Sequence, residues 1–310
     1  MAFFYYVLFG MMLSDAAYGI LTVIGSGAAL KLFPNMEQKM RRTLRMFLFC
    51  GISTTVWGVL FGSYFGDAIP VIARTFFHTE VTIPALWFEP LSDPMRLLIF
   101  SFGVGVAHLF TGLGVQFYQL AKQRKYADAI YDVIFWYLLV GGLIVVLLST
   151  EIFQNIAELP FTVPGPVVTV AGVLAGIGAA GILFTAGRES RNPVKRFLKG
   201  LYGLYGVSSY LSDILSYSRL LALGLATSVI STVFNQLGAM LGGSVVGAVF
   251  FLLIFLIGHS MNMAINLLGA YVHTNRLQFV EFFGKFYEGG GRAYQPFAAN
   301  TKHFQIKEEK

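Results

Sequence analysis

The sequence predicts an all-α integral membrane protein of about eight membrane helices, the last two long and strongly tilted. Three observations carry that expectation. Of 310 residues, 56% are hydrophobic and only 12% charged, where a soluble domain holds about 25% charged residues. Several apolar runs exceed the roughly 20 residues that cross a hydrocarbon core as helix, and the alternating segments of a barrel do not occur. The 22 Lys and Arg gather in short clusters between those runs, which is the positive-inside pattern. The net charge of +6 therefore does not mark a nucleic-acid face. A single cysteine, Cys50, excludes an intramolecular disulfide and any cysteine-clustered metal site.

In chain order, Ala2 to Leu32 is apolar but broken at Ser14 and Asp15. There is no basic n-region or cleavage pattern of a signal peptide, and so abrupt a start leads us to expect sequence upstream. KLFPNMEQKMRR from Lys31 is basic, and Leu44 to Phe65 is apolar. Gly66 to Pro94 reads as a loop with Pro70, Pro84, Pro90 and Pro94 and the acids Asp67, Glu80, Glu89 and Asp93. Met95 to Ala121 and Ile130 to Leu148 are the next spans, separated by the basic KQRK at 122–125. An acidic loop, Glu151 to Pro166, leads into Val167 to Ala186, where GVLAGIGAAG from Gly172 offers small residues for close helix packing. The linker from Arg188 to Lys199 is again basic.

Sidedness read from Lys and Arg puts 31–45, 122–125 and 188–199 in the cytoplasm and 66–94 and 150–166 outside. A single crossing by Ala2 to Leu32 would leave the N-terminus outside. A hairpin folding back near Asp15 would keep it in the cytoplasm, and we favour the hairpin. The last two runs, Gly206 to Met240 and Ser244 to Tyr287, would measure about 52 and 66 Å as single helices, against about 30 Å of hydrocarbon. They must tilt, kink or project. Gly242 and Gly243 mark the turn between them, and on the loop parity the tail from Gly289 to Lys310 is cytoplasmic.

Those two runs carry the chemistry. Arg219 heads an apolar run, and 56 uncharged residues separate it from Arg276. On the last helix His259, Asn262, Asn266, Gly269, His273 and Arg276 are spaced 3, 4, 3, 4, 3 and so share one face. The preceding helix repeats the spacing with Ser209, Ser212, Ser216, Arg219, Leu223 and Ala226. Polar stripes at membrane depth must face protein or water. For Ser209, Ser212, Ser216 and Asn262 two readings stay open, interhelical glue or the lining of a path. For the arginines the functional reading is the stronger, and His273 leans towards a role in ion passage. His259 and His108 lean towards packed histidines. Asp213 lies about 240° round the helix from Arg219, which points it at a neighbouring helix. Glu281 and Lys285, an i,i+4 pair, read as a solvated helix end. Asp15 is either the polar tip of the hairpin or a buried partner for a cation.

No GxxxxGKS/T, HExxH or GxSxG occurs, so no catalytic site, metal or cofactor is expected in this chain, and any ATP would be bound elsewhere.

Five motifs then give the sequence a specific resemblance. They are SYLSDILSYSRLLALGLATSVIS from Ser209, HTNRLQFVEFFGKFYEGGGRAYQPF from His273, FGMMLSDAAYG from Phe9, FGSYFGD from Phe61 and GVAHLFTGL from Gly105. In that set and order the chain resembles the membrane half of subunit a, or subunit I, of the V-type and A-type rotary ATPases, in its bacterial or archaeal form. The resemblance implies a cytoplasmic N-terminal arm that would lie outside these residues. The resemblance implies a helix bundle over 1–200 and, over 201–310, two tilted helices against a rotating proteolipid ring.

It also implies a mechanism. Arg219 matches the family's essential stator arginine and Arg276 its second one. Arg219 would strip a proton or sodium ion from each passing ring carboxylate and separate two aqueous half-channels. His273 matches a polar position of the exit path. Asn266 stands where vacuolar relatives carry a carboxylate, so the outer half-channel would rely on neutral groups, on Glu281 or on water. The implied partners are the proteolipid ring, other stator and stalk subunits, the lipid bilayer and the transported H+ or Na+, in a bacterial or archaeal plasma membrane. On this reading Arg219 has no counter-ion in its own chain. The competing readings are a self-contained secondary transporter with a substrate site near Arg219, and a passive membrane anchor. A transporter would commonly show an internal repeat, and the first five spans show none.

Overall fold

The computed structural model describes residues 2–157, 163–188, 192–287, 289–291 and 294. Among these its regular structure is entirely helical. Six stretches are long and apolar enough to cross a membrane, and the short apolar helices α1 (Ala2–Leu13) and α2 (Ala16–Leu32) precede them. This is the all-α membrane class that composition predicts. The expected cytoplasmic tail falls almost wholly outside the described residues.

The fold-back at Asp15 is real and its cause is local. Ser14 adopts φ 40°, and Asp15 caps α2 by accepting from the amides of Ala17 and Tyr18 at 3.0 and 3.1 Å. Its other carboxylate oxygen accepts from Ser63 Oγ at 2.7 Å and the Gly66 amide at 2.9 Å. Asp15 is buried, and these four partners make it the tip of a hairpin rather than a partner for a cation. Both arms lie along α3 (Gln38–Phe61). Tyr6 meets Phe49 and Gly10 abuts Ser53, so α1 runs parallel to α3; Gly58 abuts Ala16 and Gly19 abuts Thr55, so α2 runs back.

The segment 66–94 is not all loop. Asp67 precedes a nine-residue helix, α4 (Ala68–Phe76), with Pro70 in its first turn, where a missing N–H costs no hydrogen bond. Next come α5 (Pro94–Lys122), the short α6 (Tyr126–Ala129), a π-helical stretch Ile130–Ile134 and α7 (Phe135–Leu148). The acidic loop likewise begins with a helix, α8 (Glu151–Ala157). In α9 (Gly165–Thr185) the closely packed face is Ala171, Ala175, Gly178 and Ile182, set against Leu139 and Gly142 of α7. Gly172 and Gly176, of the expected small-residue surface, face open space.

The two long C-terminal runs differ from expectation in where they start and how they end. The first begins at Pro193 and is broken into α10 (Pro193–Leu215) and α11 (Ser218–Ala239). At the break the amides of Ser216 and Tyr217 reach the carbonyls of Asp213 and Ile214, three residues back. The second is α12 (Val245–Arg276), followed by a π-helical turn Leu277–Phe282 and a 3-10 turn Phe283–Lys285. The main core lies where α1, α3, α5, α11 and the end of α12 meet, around Phe9, Met12, Leu109, Tyr217 and Leu277.

Candidate functional site

Arg219 sits one residue into α11, just past the helix break. Its Nη1 lies 3.4 Å from Glu281 Oε1, and its Nη2 lies 3.4 Å from Ser216 Oγ. Glu281 is 98% buried and Arg219 partly so. A second ion pair lies beside this one: Lys285 Nζ reaches Asp213 Oδ2 at 2.5 Å and lies 3.8 Å over the ring of Tyr210.

Two expectations fall here. Glu281 and Lys285 do not form a solvated i,i+4 pair, because Leu277–Phe282 is π-helical and Phe283–Lys285 is 3-10. The change of pitch turns the two side chains to different partners, Arg219 and Asp213. Nor does Arg219 lack a counter-ion within the chain: Glu281, distant in sequence, supplies one. Asp213 does meet a neighbouring helix end, as its angle round α10 suggests.

The α12 stripe divides. Its upper half, His259, Asn262 and Asn266, is buried in a closed polar network. Asn235 Nδ2 donates to the Phe65 carbonyl at 2.8 Å and to Asp67 Oδ1 at 2.9 Å. Its Oδ1 is thereby left for His259 Nε2 at 2.9 Å, which makes His259 Nδ1 the acceptor for the Tyr18 hydroxyl at 2.6 Å. Asn262 Nδ2 donates to Ser231 Oγ, Tyr18 Oη and the Thr227 carbonyl at 2.8, 3.0 and 3.1 Å. Asn266 Nδ2 donates to Asn262 Oδ1. Asp67 at one end of the network opens onto a cavity of about 300 Å³ lined also by Ser63, Glu89 and Ser228.

In the lower half Gly269 faces Leu223 of α11, His273 is half-buried and Arg276 exposed. His273 Nδ1 has no hydrogen-bond partner among the described residues. On the other long run Ser209 and Ser212 are exposed and Ser216 half-buried, so this face of α10 is open.

Tyr18, Asp67, Ser231 and Asn235 were not singled out from the sequence. The signal for two of them existed: Leu220, Gly224, Thr227, Ser231, Asn235 and Gly238 form the buried face of α11, one residue round from the stripe through Leu223 and Ala226. Among the described residues no cluster of His, Cys, Asp and Glu could hold a metal ion.

The motifs that are scattered in sequence thus converge in space. Comparison with known proteins gives the same grouping a lineage. Residues 207–299 match the V-type ATPase 116kDa subunit family, and this stretch holds Arg219, Asn262, Asn266, His273, Arg276 and Glu281. The chain is 33% identical, over its whole length, to A-type ATP synthase subunit I of Pyrococcus horikoshii. It belongs to this subunit I family. It is also 32% identical over 95% of its length to A-type ATP synthase subunit I of Methanocaldococcus jannaschii. To V-type ATP synthase subunit I of Chlamydia pneumoniae it is 26% identical over 95% of its length. The chain spans 44% of the length of both archaeal relatives and 49% of the chlamydial one.

Proposed function

We propose that this chain is the ion-translocating stator of a V/A-type rotary ATPase membrane sector, non-catalytic by itself, working against a ring of carboxylate-bearing proteolipids. The observation that carries this reading is Arg219 beside the open serine face of α10, held among the described residues by a 3.4 Å pair to Glu281 and a 3.4 Å contact to Ser216. A guanidinium stays charged at any working pH. It favours the ionised form of a passing ring carboxylate and so releases that carboxylate's proton or sodium ion. Arg276, exposed on the same side of α12 as His273, extends the positive barrier between two half-channels.

The outer half-channel then starts at the cavity beside Asp67 and follows the neutral groups Asn235, His259, Tyr18, Asn262 and Asn266. Glu281 belongs to the inner side, near Lys285 and the basic loops. Ions cross only as the ring turns, and about 2.3 kcal/mol per charge per 100 mV becomes torque. The basic loops, and both ends of the chain, face the cytoplasm of a bacterial or archaeal cell.

Reconstitution tests the reading against that of a self-contained transporter. Vesicles holding this chain alone are expected to be ion-tight, whereas vesicles holding the assembled complex take up ions on addition of ATP. Uptake driven by the chain alone would overturn the proposal.

A further inference from the structure

The GVAHLFTGL motif of α5 lies outside the proposed ion path. Its Gly105, His108 and Gly112 share one helix face. A Cβ on Gly105 would come within 2.6 Å of the Tyr217 ring, so glycine is what lets that ring seat there. His108 is fully buried, and its Nδ1 lies 2.7 Å from the Tyr217 hydroxyl. One face of the imidazole stacks on Phe282, with centroids 4.3 Å apart and planes at 13°. The other face stacks on Phe4 at 4.5 Å and 28°. A Cβ on Gly112 would touch Phe282 at 3.3 Å.

Tyr217 stands in the helix break two residues before Arg219, and Phe282 directly follows Glu281 in the π-helical turn. Glu281 therefore sits on irregular backbone and Arg219 opens the helix directly after its break, so the helical ladder alone does not fix their relative height. His108 touches both supports.

We infer that His108 is a positioning residue for ion translocation: through the Tyr217 hydroxyl and the Phe282 ring it sets the register of Arg219 against Glu281. The inference rests on the function proposed above. The flat ring of the histidine fills the slot between Phe4 and Phe282 and its Nδ1 edge meets the buried Tyr217 hydroxyl, while its Nε2 has no partner among the described residues.

The experiment uses the assembled complex in sealed vesicles and measures ions moved per ATP hydrolysed, with a pH dye in one arm and radioactive sodium in the other. Tyr217→Phe keeps the ring and removes only the hydroxyl. Assembly and ATP hydrolysis are expected to persist while ions per ATP fall about fivefold, the worth of one hydrogen bond. His108→Ala is expected to fall further, and His108→Asn, which returns a polar atom near the Nδ1 position, to recover part of the loss. An unchanged ratio in Tyr217→Phe and His108→Ala, with Arg219→Gln inactive in the same assay, would overturn the inference. So would a parallel fall of assembly, hydrolysis and pumping, which marks packing alone. Pumping retained by Arg219→Gln would instead remove the functional reading on which the inference stands.

Discussion

Along α12 and the π-helical turn that follows it lie two polar regions that differ in how completely they are satisfied. In the upper region His259, Asn262 and Asn266 are buried and bonded to Tyr18, Ser231, Asn235 and one another. In the lower region His273 Nδ1, Gln278 Nε2 and Glu281 Oε2 are buried and have no partner among the described residues. The upper region is neutral and closed; the lower one is charged, and its bonding capacity is left unused. A closed network holds helices in one arrangement, whereas open valences beside a long ion pair leave room for a partner to be exchanged. On the function proposed above, the first region both holds the helices and lines the outer path with neutral groups, while the second exchanges ions with the ring.

The largest expected effect lies at the hairpin tip. Asp15→Ala removes the four hydrogen bonds of a buried carboxylate at the hairpin tip. It is expected to destabilise the chain by about 3–5 kcal/mol, since each orphaned buried group costs about 1–3 kcal/mol and some relax. The check is the unfolding transition in detergent; a loss below about 1 kcal/mol, less than one such group costs, would show that the tip is not an anchor.

Glu281→Gln sharpens the contrast on the charged side. Removing one member of a buried pair costs about 3–5 kcal/mol when the other charge is left alone. The free chain is expected to lose about that much, at the lower end for removing one partner because Arg219 is partly exposed. Within the assembled complex the loss should be smaller, because a ring carboxylate takes over the guanidinium. Equal losses in the two states, read from thermal unfolding of each, would contradict an exchangeable counter-ion.

Tyr18→Phe tests the closed side and should have the smallest effect. It deprives His259 Nδ1 of its donor, and interhelical hydrogen bonds in membranes contribute about 0.6–1.7 kcal/mol. Unfolding in detergent is again the measurement, and no change would show that the network is not the support we describe.

Much of this arrangement was legible before any coordinates. Apolar run lengths gave the spans, Ser14 and Asp15 gave the fold-back, and the 3-4-3 spacing brought Arg219 and the α12 stripe forward. What was not legible depended on backbone pitch and on partners distant in sequence. The spacing of Glu281 and Lys285 suggests a pair only if the helix keeps 3.6 residues per turn, and the π-helical and 3-10 turns break that premise. The in-chain counter-ion for Arg219 was hidden for the same reason. Asp67 reads as one of several loop acids until α4 and Asn235 bring it to the network. His108 reads correctly as packed, yet its contacts with Tyr217 and Phe282 come only from the crossing of three helices.

The most direct test of the central claim is ATP-driven ion uptake by the assembled complex carrying Arg219→Gln. Assembly is expected to be normal and net uptake absent, because a neutral amide neither discharges the ring carboxylates nor keeps the half-channels apart. Uptake at the unsubstituted ratio of ions to ATP would contradict that claim.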